Sequence, residues 1–397
     1  MCIYAAKNLF ILIIFAVFIL YIYRINSGIM VKYIYEYKQW PEFTWNESEI
    51  NMIVGRVRYL QGRIIGRMEA LGFTMKQETI LSTLTTDVLK SSEIEGEILG
   101  YEQVRSSIAR RLGMENAGMV GADRNVEGVV EMMLDATQKY GERMTHERIF
   151  GWHAALFPSG WSGMLRIDTG TYRKGEMQIV SGPMGKEKIH YQAPAHSKVK
   201  QEMNVFLKWL NKEVNIDGIL KAAIAHFWFI IIHPFDDGNG RIARAISDML
   251  LARSEDSPQR YYSLSNQIMT EKKEYYAILQ KVQFSEGDIT DWLIWFLNCL
   301  DRALITTEKT LEKVLQKADF WDQHKETAFN SRQRLMLNKL LDGFDGKLKT
   351  SKWAKIAKCS PDTALRDMKD LIDKDILIQM ESGGRSTFYD LKIKPVT

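Results

Sequence analysis

At 397 residues the chain is long enough for two or three domains, and 46% hydrophobic against 26% charged residues leaves ample apolar material for a core. A net charge of +4 from 53 basic and 49 acidic residues excludes a global electrostatic attraction to nucleic acid or a membrane surface, so any charged partner must be held locally. The three cysteines, Cys2, Cys299 and Cys359, lack the spacing of a disulfide framework or a zinc site and read as thiols of a reducing compartment.

Residues 9–23 form an unbroken apolar run between Lys7 and Arg24. Fifteen residues are short for a bilayer, which needs about 20 in a helix, and no small-residue cleavage site follows. Three readings are open: a short membrane anchor, an upstream mis-assigned start with Met30 as the initiator, and a signal peptide. Beyond this run, eight prolines, no internal repeat and no low-complexity tract leave helical periodicity dominant, so the fold is expected to be mainly α.

Residues 50–112 read as two or three amphipathic helices, for example 50–71 and 75–90, ending in a loose stretch at 113–121 that suggests a boundary. Helices at 126–140 and 145–156 lead into a loop with Gly160 and Gly163. From 171 to 191 the pattern becomes short and alternating, and the SGPMG turn at 181–185 separates strands 176–180 and 188–191 of a β-hairpin. A long apolar helix at 219–232 and another at 242–253 bracket a Gly-rich turn, and further helices carry the chain to about 315. The last seventy residues predict helices at 332–341, 350–357 and 360–374, then strands 376–380 and 386–391 joined through Ser382, Gly383 and Gly384. That order resembles a winged helix-turn-helix.

Residues 233–244 read HPFDDGNGRIAR, and each residue type suits a phosphate-handling loop. Gly238 and Gly240 strip side chains from around Asn239, so backbone N–H groups can turn inward as an anion nest. A helix expected to begin near Arg241 adds its positive end, and Arg241 and Arg244 lie nearly on one face of its first turn, with guanidinium forks suited to phosphate oxygens. Asp237 offers the hard carboxylate that Mg²⁺ between two phosphates would use. His233, whose ordinary pKa is near neutrality, suits a general base. Phe235 anchors the loop in the core, and Pro234 sets the end of the preceding helix. The loop lacks the Lys-Ser/Thr pair of a P-loop. His226 and His153 read as buried structural histidines.

This stretch resembles the Fic family motif HxFx(D/E)GNGRxxR at every specified position: His233, Phe235, Asp237, Gly238, Asn239, Gly240, Arg241 and Arg244. The resemblance implies a Fic-fold helical core with a β-hairpin flap, between an N-terminal helical domain and the C-terminal winged helix-turn-helix. The expected divisions are an apolar segment at 1–29, the helical domain at 30–118, the catalytic domain at 119–315 and the winged helix at 326–397. It also implies the reaction: His233 deprotonates a Tyr, Thr or Ser hydroxyl of a target protein, the oxygen attacks the α-phosphorus of ATP, and pyrophosphate leaves. Asn239 and the glycine amides would hold the α-phosphate. The family's phosphorylating branch looks different, with Ala and Lys in place of the two glycines, so Gly238 and Gly240 favour AMP transfer. An ATP-using domain is expected in the cytoplasm, with anchoring through residues 9–23 left open.

Residues 91–96, SSEIEG, resemble the family's inhibitory motif (S/T)xxxE(G/N) through Ser91, Glu95 and Gly96. A spacing of four puts Ser91 and Glu95 on one helical face. The resemblance implies that Glu95 pairs with Arg244 and takes the place of the γ-phosphate; the other reading is a solvated acidic patch with Glu93, Glu97 and Glu102. The hairpin at 176–191 sits where the family places a flap that aligns the target by strand addition, with Ile179 and Val180 as the docking residues. KQWPEFTW at 38–45 also looks like the start of family members with this layout.

A second function stays open, a winged-helix transcriptional regulator whose Fic region senses nucleotide. Residues 326–397 carry 14 basic and 10 acidic residues, yet the candidate recognition helix sets Asp362, Asp367, Asp370 and Asp373 against Arg366, Lys369 and Lys374. That is a poor surface for phosphate contact, partly restored by Lys349, Lys352, Lys355 and Lys358 on the previous helix. Intramolecular or protein docking is favoured over DNA. AMP removal, use of another nucleotide, the target's identity and homo-oligomer formation are open as well.

Overall fold

A computed structural model of the chain describes residues 32–69, 71–114, 120–181, 188–213, 215–341, 344, 346–380 and 387–392. The apolar run at 9–23, Met30, most of the SGPMG turn and the Ser382, Gly383 and Gly384 connection lie outside these residues. Among the described residues no helix is long and apolar enough to cross a membrane. The chain forms two compact units, one ending at Leu304 and one beginning at Ile305, a division that cuts the span 119–315 expected for the catalytic domain.

The first unit opens with helices α1 (Glu47–Glu69), α2 (Phe73–Ile94) and α3 (Tyr101–Arg111), followed by α4 (Arg124–Gln138) and α5 (His146–Leu156). Asp123 and Thr145 accept from Val126 N and Arg148 N and so start α4 and α5. These two helices cross closely at Gly128, where a Cβ would lie 1.7 Å from the Ala155 carbonyl oxygen, so only glycine fits the crossing. Two small hairpins follow: β1 (Trp161–Ser162) with β2 (Leu165–Arg166), and β3 (Gln178–Ser181) with β4 (Lys188–Gln192). The first of these stands where the sequence suggested only a loop. A helix the sequence reading did not contain, α6 (His196–Leu210), comes next and buries Val199, Met203, Phe206, Leu207 and Leu210.

Helix α7 (Gly218–Ile232) is apolar on every face, and from Ile219 to Ile232 only Lys221 is not buried. A helix of that kind must be enclosed by others. It packs along α8 (Asn239–Glu255), and α8 also receives α4 and α5. Helices α9 (Leu264–Thr270) and α10 (Lys272–Val282) follow, with α9 against α2; α11 (Thr290–Gln323) begins in this unit. The two central helices therefore form a dry scaffold that fixes the turn between them, and α2 reaches the same region.

The second unit contains α12 (Ser331–Leu341), α13 (Thr350–Ile356), α14 (Pro361–Asp373), β5 (Leu377–Met380) and β6 (Phe388–Leu391). Strands β5 and β6 pair antiparallel from Leu377↔Leu391 to Met380↔Phe388, with Leu348 bridging to Tyr389. Trp353, Met336, Leu337, Met368 and Leu371 form its core. Ser360 caps α14, and Pro361 occupies its first turn, where a missing N–H costs nothing. Two of the four aspartates on α14 are satisfied internally, Asp367 by Arg332 (2.6 and 2.9 Å) and Asn330, and Asp370 by Gln333 and Lys374. Asp362, Arg366, Lys369 and Asp373 are left exposed on this helix, a balanced set.

Candidate active site

Helix α7 ends because His233 adopts the left-handed conformation (φ 49°, ψ 60°) ahead of Pro234. For a non-glycine residue this costs about 1–3 kcal/mol, and a following proline disfavours it further. Surrounding bonds offset that cost. His233 N donates to Phe229 O at 3.0 Å, while Arg173 donates from Nε to His233 O and from its backbone N to Pro234 O, both at 2.9 Å. Phe235 is fully buried and stacks on His153 at 4.2 Å between ring centres.

The side chain of Asn239 closes the turn. Its Oδ1 accepts from Phe235 N at 3.0 Å, and its Nδ2 donates to Phe235 O at 2.8 Å. Both polar atoms therefore bond the loop's own backbone, and the second N–H of the amide is the one left for the expected phosphate contact. Gly238 takes φ 80°, and a Cβ there would come within 2.9 Å of the Phe157 ring. Helix α8 starts at Asn239, two residues before the expected position, and its first intrahelical bond runs from Ile242 N to Gly238 O. The amides of Asn239, Gly240 and Arg241 precede that bond, which makes this helix end a site for an anion.

A carboxylate already stands over it. A Cβ on Gly240 would fall 2.0 Å from Glu95 Oε1. Arg244, 1% exposed, donates from Nη2 to that oxygen at 2.8 Å and to Ser91 O at 2.7 Å, and from Nε to Ser91 Oγ at 2.9 Å. Arg241 Nη1 donates to Glu97 Oε2 at 2.5 Å, and its guanidinium lies 4.8 Å from the centre of the Phe157 ring. Gly96 takes φ 87°, which lets the chain reverse after α2 with Glu97 N bonded to Ser92 O. The two carboxylates beside Gly96 thus take one motif arginine each. The sequence marks Glu97 only as one of several neighbouring acids, and the Glu-Gly-Glu order around a left-handed glycine is the available signal for its pairing.

His233 is half-buried, and burial lowers its pKa to about 4, helped by the Arg173 charge and opposed by the Ile230 carbonyl and by Glu95 and Asp237. Its Nδ1 lies 3.2 Å from Ile230 O. A carbonyl only accepts, so Nδ1 carries the proton of the neutral ring and Nε2 holds the lone pair. Asp237 accepts from Ser162 Oγ and, at 2.5 Å, from Gly238 N. No group of three His, Cys, Asp or Glu side chains that would hold a metal exists among the described residues. One hard carboxylate beside an anion site nevertheless fits Mg²⁺, which commonly takes one or two protein ligands and completes its shell with phosphate and water.

His226 is enclosed, with Ser247 Oγ and Tyr275 OH each 2.9 Å from its ring nitrogens, and burial lowers its pKa to about 3. His153 is buried too, its Nδ1 accepting from Gly170 N at 3.0 Å. In the second hairpin Ile179 pairs with Tyr191 and Val180 with Ile189 across a bulge, and Ile179 and Val180 are exposed. Tyr191 donates its hydroxyl to Ile231 O, and its ring centre lies 6.5 Å from that of His233.

Residues 143–251, which contain this turn and hairpin, match the model of the Fic/DOC family. Residues 143–251 are a Fic domain. Residues 33–114, which carry Ser91, Glu95 and Glu97, match a domain of unknown function (DUF4172). The chain is 23% identical over 225 residues to a protein adenylyltransferase Fic of Nematostella vectensis, covering 55% of this chain and 47% of that protein. It is 26% identical over 231 residues to one of Aedes aegypti, covering 55% and 40%. The chain thus spans less than half the length of these relatives. A solved Fic family protein from Desulfovibrio desulfuricans G20 shares the fold, with a TM-score of 0.52 and 20% identity over 90% of this chain and 99% of that one.

Proposed function

We propose that the chain is a protein adenylyltransferase that moves AMP from ATP to a Tyr, Thr or Ser hydroxyl of a target protein and is held in check by Glu95. The observation that carries this reading is the Glu95 carboxylate resting on Gly240 and Arg244, in the place an anionic phosphate would take beside an imidazole with a free lone pair. The target hydroxyl gives its proton to His233 Nε2, its oxygen bonds to the α-phosphorus, and the α–β bridging bond breaks to release pyrophosphate. The amides at the start of α8 and the Arg241 and Arg244 guanidiniums bind the phosphates, while Asn239 keeps their loop closed. Asp237 would hold Mg²⁺, which when bound neutralises phosphate charge. Ile179 and Val180 would meet the target by strand addition. On this reading residues 30–118 regulate and 119–315 catalyse.

The regulator reading gains no support from α14, whose exposed side chains balance in charge. The direct test of the enzyme is Glu95→Gly protein with Mg²⁺, cell lysate and ATP labelled at either end. Compared with lysate alone, added label from the α-phosphate is expected on protein bands and no added label from the γ-phosphate; a gain of γ-label alone would identify a kinase and reject AMP transfer.

The pH dependence offers a second test. A base with a pKa of about 4 stays deprotonated well below neutrality, so kcat/KM should change less than about twofold between pH 7.5 and 5.5. An ordinary histidine would lose about tenfold over that interval. A tenfold fall, confirmed on protein still folded at pH 5.5, would show His233 to be fully hydrated.

A further inference from the structure

Arg173 is 3% exposed and lies in the segment between the two hairpins. Its guanidinium donates to three backbone carbonyls: Nε to His233 at 2.9 Å, Nη1 to Gly175 at 2.8 Å, and Nη2 to Pro194. Its own backbone N donates to Pro234 O at 2.9 Å. Gly175 stands just before β3 and Pro194 just after β4. One buried side chain therefore ties both roots of the flap hairpin to the carbonyl of the proposed base, over gaps of up to 60 residues in sequence.

Such an arrangement exceeds what chain continuity requires. A buried cation held by carbonyls loses its hydration for dipoles alone, and each bond is charge-assisted and directional. The planar fork matters, because its donors point in separate fixed directions and can hold three segments at set distances; an ammonium on a flexible stem cannot. The strained His233–Pro234 step is where positional error would otherwise collect, and both of its carbonyls end on Arg173.

We propose that Arg173 is a positioning residue that sets the spacing between the flap and His233, so that a hydroxyl presented by a target strand on β3 arrives at Nε2. The inference rests on the AMP-transfer reading. It does not extend to nucleotide binding, because the Arg173 side chain bonds none of the phosphate-binding residues 238–244.

The test uses full-length Glu95→Gly protein as reference, with Arg173→Lys and Arg173→Met added to it. Three quantities are read: the rate of labelling of lysate proteins from α-labelled ATP at saturating ATP, the KM for ATP, and the thermal midpoint. Both variants are expected to label at least tenfold more slowly, with the KM for ATP within about twofold of the reference. Should the methionine variant not fold, the lysine variant decides, since it keeps the charge but lacks the fork. Labelling by Arg173→Lys at the reference rate would overturn the proposal, as would loss of ATP affinity in step with rate. A reference protein that labels nothing would instead remove the AMP-transfer reading and this inference with it.

Discussion

Replacing His233 by alanine is expected to slow AMP transfer by about 10²–10⁴-fold while leaving the KM for ATP within a few-fold, as loss of a general base does. The ring's Nε2 is free to accept because Nδ1 is committed to Ile230 O. Phosphate binding should survive, since the α8 amides and the two arginines do not depend on the imidazole. The substitution also removes no packing anchor: Phe235 and Asn239 hold the turn. Single-turnover labelling in the Glu95→Gly background measures the effect, and a variant retaining full rate would discard His233 as base.

Glu95→Gly is expected to raise AMP transfer at least tenfold. That ratio corresponds to about 1.4 kcal/mol, close to the lower end of what one charge-assisted bond contributes. Glu95 Oε1 is bonded to Arg244 and sits against Gly240, and on the proposed reading ATP displaces it before its phosphates settle. Ser91 should keep Arg244 oriented after the carboxylate is gone, through Oγ and the backbone oxygen. Glu97→Gln should act more weakly, below about threefold, because Glu97 is 44% exposed and its pair with Arg241 is screened by water. Initial rates at subsaturating ATP compare the variants; equal rates for Glu95→Gly and the parent protein would dismiss the brake.

The turn at 233–244 was legible because its residue types are so constrained: bare glycines, a helix start and two spaced arginines have few other uses together. The Ser91–Glu95 pair was legible for a similar reason, a fixed spacing on one helical face. Less could be read where function passes through the backbone. Arg173 binds carbonyls, which every residue possesses, so no partner residue type betrays its role. The part played by Asn239 was hidden likewise, its amide meeting Phe235 main chain. Helix α6 was missed although Val199, Met203, Phe206, Leu207 and Leu210 keep helical spacing. The polar residues between them and the Pro194 just before obscured the stripe. The β1–β2 hairpin has two residues per strand, too few for any alternation to register. The most uniform sequence, that of α7, was among the easiest, since a helix apolar all round has only the interior to occupy.

The bare backbone at Gly240 has a consequence for how the protein can change. On the proposed reading, guest nucleotide and resident carboxylate share that emptiness, and a methyl group planted there would press on the carboxylate. A gain of activity is then expected from substitutions at 91–97, which evict the occupant and leave its seat unaltered.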